Sequence, residues 1–167
     1  MIFVTVGNSG HGFDRLMRAV GEMTEGGLLG GEIVVQHGHS RVVPRGCLAV
    51  EFLPRDEFDR HVADASLVIT HGGAGSVGKC LRAGKKPVVV PRLASFGEIV
   101  NDHQLELVRE LAAQRRIYPA IGIADLPAAV ERALDEGGTQ LPSTGGSAVV
   151  ALVGEFIDRL AAAKAIS

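Results

Sequence analysis

Short runs of β-branched and other apolar residues recur along the chain, and most lead into a stretch with helical spacing. The runs are Ile2–Val6, Ile33–Gln36, Leu48–Phe52, Leu67–Thr70, Pro87–Val90 and Ile117–Pro119. Helical periodicity follows at Phe13–Glu22, Asp56–Ala63, Gly75–Ala83, Asn101–Ala113 and Leu126–Leu134. Runs that are apolar throughout predict strands buried on both faces, and strands alternating with helices pair in parallel. The expected fold class is therefore α/β, with a doubly wound, mainly parallel sheet. In such sheets ligands bind beyond the carboxyl ends of the strands. The glycine-rich turns fall at those ends: Gly7-Asn8-Ser9-Gly10, Gly38-His39-Ser40 and His71-Gly72-Gly73. Three turns are thus expected to line one crevice.

A length of 167 residues at 46% hydrophobic composition suits one well-buried core. The expectation is a single nucleotide-binding domain over residues 1–167, with a flexible connector at 137–147 and a terminal helix at 148–163. Val149, Val150, Leu152, Val153, Phe156, Ile157 and Leu160 form one stripe of that helix. Seventeen Lys and Arg against 19 Asp and Glu leave no broad attraction to nucleic acid or to an anionic membrane, so any anion site is local. Cys47 and Cys80 have no metal-ligand spacing. The chain opens directly on MIFVTVG, and no apolar run approaches the roughly 20 residues that span a bilayer. A cytoplasmic protein is expected, reaching a membrane only through a partner.

Residues 71–80, HGGAGSVGKC, admit three nucleotide-binding readings. Gly73 through Lys79 fits the P-loop spacing, but the next residue is Cys80, where a hydroxyl should bind magnesium, and no strand ends in a second magnesium anchor. Gly73-Ala-Gly75-Ser-Val-Gly78 fits the dinucleotide fingerprint, yet the next strand runs into Pro91-Arg92 where an acidic residue should hold the ribose. Arg92 suits a 2′-phosphate, which keeps an NADP-dependent oxidoreductase open. The third reading is the diphosphate loop of a glycosyltransferase. All three share one physical feature: a strand that ends in small residues and opens a helix aims free N–H groups and the positive end of the helix dipole at one spot. A tight turn with glycines serving packing alone is the ordinary alternative.

The longer stretch THGGAGSVGKCLRAGKKPVVVPRLASFGEIVNDHQLELVREL, residues 70–110, resembles the carboxyl-terminal, donor-binding lobe of two-lobed, type B inverting glycosyltransferases of family 28. IFVTVGNSGHGFDRLMRAV is similar to the start of the free-standing soluble catalytic subunits of this group. The form PR-x₄-GE-x₂-NDHQ is most similar to bacterial two-component enzymes of capsule and exopolysaccharide assembly. The resemblance runs from Met1 to about Ala133 and implies a Rossmann-like lobe that binds a UDP-sugar. It implies a diphosphate held by Gly7, Asn8, His71, Gly72, Gly73, Ala74, Gly75 and Ser76. It also assigns Arg92, Glu98, Asp102, His103 and Gln104 to the donor sugar and ribose. One departure stands out: many relatives carry a ribose-binding Glu where this chain has Lys79, leaving Glu98 as a substitute.

Each of these residues has an ordinary role as well. His71 can cap the strand end, Asp102 can sit in a dipole-favoured first turn, and His103 and Gln104 can be solvated helix residues. Arg82, Lys85 and Lys86 read as a solvated face. His37 and His39 flank Gly38 without a third ligand, so a loop is expected there and no metal. No Asp-x-Asp pair is present, in keeping with leaving-group stabilisation by backbone N–H groups and with neither metal nor cofactor. The resemblance puts the acceptor site and the catalytic base on the other lobe. A membrane-anchored acceptor-binding subunit and a lipid-linked saccharide acceptor are the implied partners, with the last helix as one candidate contact. A non-catalytic nucleotide-binding module accommodates Lys79 equally well.

Overall fold

The computed structural model describes residues 1–137 together with 151, 154 and 155. Six strands form one sheet: β1 (Ile2–Thr5), β2 (Ile33–Gln36), β3 (Leu48–Val50), β4 (Leu67–His71), β5 (Val88–Val90) and β6 (Tyr118–Pro119). Five helices alternate with them among residues 1–137: α1 (Asp14–Glu25), α2 (Arg55–Asp64), α3 (Ala74–Arg82), α4 (His103–Ala113) and α5 (Leu126–Asp135). The strand order is β3-β2-β1-β4-β5-β6 and every pairing is parallel, so the expected doubly wound sheet is the observed one.

The side-chain period of two explains how one sheet carries two helical layers. Ile2, Val4, Ile33, Val35, Leu67, Ile69, Val88 and Val90 share one face with Leu16, Met17 and Val20 of α1 and with Leu126, Ala129 and Val130 of α5. The alternate residues face the other way. Phe3, Val34 and Val68 meet Phe58 and Val62 of α2 and Cys80 of α3, while Val89 meets Leu81 of α3 and Leu107, Val108 and Leu111 of α4. The edge strands are where the apolar reading loosens: Leu48 of β3 is exposed, and Pro119, which has no N–H to give a ladder, ends β6 at the opposite edge. β3 accordingly stops at Val50, short of the expected Phe52.

Two further boundaries differ from expectation. Helix α4 begins at His103 because Asn101 and Asp102 turn their side chains back onto the N–H groups of His103 and Ala94. Between β5 and α4 a short 3-10 turn occupies Ala94–Phe96 and closes with Gly97 at φ 66°. The connector and terminal helix expected at 137–147 and 148–163 lie, apart from 137, 151, 154 and 155, outside the described residues.

Phe3 tests the second layer of the core. Its ring is fully buried, edge-on to Phe58 at 5.4 Å and stacked on His61 at 5.3 Å. Phe3→Ala is expected to lower unfolding free energy by about 3–5 kcal/mol, read as a shift in the urea midpoint.

Candidate functional site

From β1 the chain crosses to β2 on one side, and from β4 it crosses to β5 on the other, so the carboxyl ends of β1 and β4 diverge and open a crevice. The Gly7-Asn8 turn and the His71-Gly72-Gly73 turn form its two banks. Gly7 holds φ 69°, a conformation that penalises a side chain. A Cβ at Gly7 or at Gly73 would also overlap the His71 imidazole, which lies between the two turns. Gly72 is the third tight position, because a Cβ there would press on Val108 and Gln104 of α4 at 3.0–3.1 Å. The glycines therefore let two turns and a helix close around one ring.

That ring is neutral. Burial, then the positive charge of Arg92, push the His71 imidazole down to about 3 from the usual 6.5, against a smaller opposing hydrogen bond to the Thr5 backbone. His71 thus takes its place among the polar groups lining the crevice without adding a charge.

Hydrogen-bond donors come from both banks. Helix α3 starts after Gly73 with no side-chain cap, and its first internal bond runs from Val77 N–H to the Gly73 carbonyl. Among the described residues nothing accepts from the N–H groups of Ala74, Gly75 and Ser76. On the opposite bank a buried relay crosses two strands. The Gly7 N–H donates to Thr5 Oγ1 at 3.1 Å, Thr5 Oγ1 donates to Gln36 Oε1 at 2.8 Å, and Gln36 Nε2 donates to Asn8 Oδ1 at 3.0 Å. With its oxygen engaged, Asn8 has its –NH₂ as the free end. The relay was not anticipated from the sequence, although Gln36, a polar residue closing an apolar strand, is the signal that marks it.

Gly7, Asn8, His71, Gly75 and Ser76 line a cleft of about 510 Å³ that continues between α2 and α3. Leu53 and Phe58 supply its apolar wall, and Arg55, Lys79 and Arg82 its basic one. Lys79 Nζ lies 2.6 Å from Asp59 Oδ1 and 4.6 Å from the Phe58 ring centre, so the departure from the expected Glu is matched by a carboxylate on the neighbouring helix.

The other anticipated residues divide into two groups. His103 and Gln104 open α4 beside Gly72, half-exposed; Gln104 Oε1 accepts from Arg92 N–H at 3.0 Å, and its –NH₂ has no partner among the described residues. Asp102 accepts from Ala94 N–H at 2.9 Å. Arg92 and Glu98, by contrast, face inward. Arg92 is fully buried over the Phe13 ring; its Nη1 donates to the carbonyls of His11, Gly12 and Glu98, and its Nη2 to that of Val6, at 2.8–3.3 Å. Burial draws its pKa down to about 10, opposed by Glu98, so it stays charged at neutral pH. Glu98 receives a bidentate pair from Arg15 at 2.8 and 3.0 Å and the Leu93 N–H at 3.1 Å. Glu98 and the Arg92 Nη groups are thus engaged within the protein, while Arg92 Nε is buried with no partner among the described residues; this geometry lends no support to the NADP reading or to Glu98 as a substitute for Lys79.

Two measurements probe this geometry. Gly7→Ala is expected to cost about 2 kcal/mol or more of stability, from the positive φ and the overlap with His71. The His71 shift also has a definite sign. Below the unfolded value near 6.5 the unfolded chain takes up a proton that the folded one refuses until about 3, so this contribution to stability is present above 6.5 and is lost as pH falls through that window. Relative to His71→Gln, the wild-type protein should lose about 1.4 kcal/mol per pH unit there, measured by urea unfolding at a series of pH values.

The glycosyltransferase family 28 C-terminal domain matches residues 1–149. The UDP-N-acetylglucosamine transferase subunit ALG13 of Homo sapiens is 32% identical over 126 residues, covering 70% of this chain and 11% of that protein. The protein of the same name from Yarrowia lipolytica is 39% identical over 62 residues, 37% of this chain and 30% of that one. The chain thus corresponds to less than a third of either relative's length. In fold it is similar to a solution structure of ALG13, with TM-score 0.62, 16% identity and coverage of 91% of this chain and 94% of that one. It is also similar to the crystal structure of the kitacinnamycin glycotransferase, with TM-score 0.60, 18% identity and coverage of 93% and 38%. The match across 149 of 167 residues, on a sheet whose switch point carries the two glycine-rich turns, shows that this chain belongs to the glycosyltransferase family 28 C-terminal domain family.

Proposed function

We propose that the chain is the donor-binding catalytic subunit of an inverting glycosyltransferase. It would act as one domain and move a sugar from a UDP-sugar to a lipid-linked acceptor in polysaccharide biosynthesis. The observation that carries this reading is the set of three unengaged N–H groups at Ala74, Gly75 and Ser76, facing the Gly7-Asn8 turn across the cleft. Their donors and the α3 dipole meet the charge that develops on the departing diphosphate, without metal and without reorganisation. The Ser76 hydroxyl and the Asn8 amide add side-chain donors, and neutral His71 keeps the turns apart. The nucleoside would extend along the Leu53 and Phe58 wall, and the sugar toward His103 and Gln104.

In this reading a membrane-associated partner supplies the acceptor lobe and the base, and brings the chain to the inner face of the plasma membrane. Among the described residues no helix is long and apolar enough to cross a membrane, and none places three or more His, Cys, Asp or Glu where they could hold a metal ion. The similarity to subunits named as UDP-N-acetylglucosamine transferases supports a uridine donor.

The backbone offers a direct test. Ala74 is the first residue of α3, and Gly73 before it is already extended at φ −74°, ψ 128°, as proline requires of its predecessor. Ala74→Pro therefore deletes one N–H and little else. Calorimetry should show UDP binding without magnesium to the wild-type chain, weakened roughly 10- to 100-fold by Ala74→Pro, since a hydrogen bond to a charged group contributes about 1.5–3 kcal/mol. Mixed with its partner subunit and a lipid-linked acceptor, the wild-type chain should transfer sugar, and Gln104→Ala with His103→Ala should not.

A further inference from the structure

A second cleft, of about 680 Å³, opens at the same edge of the sheet but on the α1 side. Its lining includes Asp14, Arg15, Arg18, His39, Arg41 and Glu98. Both acids are already committed. Asp14 Oδ1 accepts the N–H groups of Arg41 and Val42 at 2.7 and 3.2 Å, and Glu98 is held by Arg15. The guanidinium groups of Arg18 and Arg41 are exposed, and among the described residues they have no hydrogen-bond or ion-pair partner. Two unmatched cations thus flank an open cleft at the start of α1, whose positive dipole end adds to them.

Phe96, in the β5–α4 loop, lines the cleft with one side of its ring 4.9 Å from the Arg15 guanidinium and 61% of its surface exposed. Val100, further along the same loop, is 87% exposed. Large apolar side chains left in water beside unpaired arginines are the chemistry of an interfacial surface: the rings and methyls enter the acyl boundary while guanidinium groups meet phosphates. A net charge of −2 means that the chain as a whole is not drawn to an anionic bilayer, so a contact of this kind has to be local.

We propose that this second cleft seats the phosphate headgroup of an anionic membrane lipid, with Arg18 and Arg41 as its cationic contacts and Phe96 and Val100 entering the interface beside it. The proposal goes beyond the transferase reading and does not rest on donor binding. It gives the chain a weak membrane contact of its own, which turns the carboxyl edge of the sheet toward the bilayer.

Vesicle flotation tests it on the full chain. The protein should float with vesicles of phosphatidylcholine and phosphatidylglycerol but not with phosphatidylcholine alone, and added salt should release it. At about 5-fold per arginine, Arg18→Glu with Arg41→Glu should reduce partitioning by roughly 25-fold or more. Phe96→Ser should weaken it separately, and UDP binding by all variants should stay unchanged. Equal flotation with both vesicle types, or none, overturns the proposal, as does an unaffected double variant. Inorganic phosphate that displaces the vesicles at matched ionic strength would mark a soluble-phosphate site instead. Variants that float normally but no longer co-elute with the partner subunit would mark a protein-docking face instead. Either result also overturns the proposal.

Discussion

The buried guanidinium of Arg92 holds the carboxyl edge of the sheet together. Taking an arginine out of water costs several kcal/mol, and four backbone carbonyls and the face of Phe13 offset much of it here, with Nε left unpartnered among the described residues. Those carbonyls belong to Val6, His11, Gly12 and Glu98, so one side chain fastens the loop after β1 to the loop after β5. Arg15 repeats the connection at its outer side through Glu98 and the Pro91 carbonyl. The position of the Gly7-Asn8 turn, and hence the width of the crevice, follows from this bracing together with the His71 ring wedged against α3.

The same edge carries two clefts of different character. Toward α2 and α3 the lining combines unengaged N–H groups, a neutral imidazole and an apolar wall, which suits a diphosphate with a nucleoside attached. Toward α1 the lining is arginine with an apolar rim. The loop from Val6 to Gly12 runs between them, and Arg92 anchors both of its ends. A ligand that pulled this loop toward one cleft would act on the other through that shared anchor.

Much of the sheet was legible because its strands are apolar on both faces, a pattern that surface helices and loops rarely produce, and because helical spacing resumes after most of them. The turn from β4 into α3 was legible for a similar reason, since small residues between a strand and a helix have a local signature. The internal partners of Arg92 and Glu98 were hidden for a physical cause. A charged residue directly after a buried strand looks the same whether it faces a ligand or braces a loop. The partners that decide the matter are carbonyls about 80 positions away, and carbonyls leave no trace in residue identity. Lys79 posed the same difficulty, because its answering charge, Asp59, lies on another helix. The Thr5–Gln36–Asn8 relay joins three turns and strands that only the fold brings side by side.

The central claim is that the N–H groups opening α3 grip a nucleotide diphosphate. Amide chemical-shift mapping with ¹⁵N-labelled protein and UDP reads those groups individually. The account predicts the largest downfield proton shifts at Ala74, Gly75 and Ser76, with smaller ones at Gly7 and the Asn8 side chain, and no change on adding magnesium. Shifts concentrated instead around Arg15, Arg18 and Arg41, with residues 74–76 unmoved, would contradict it.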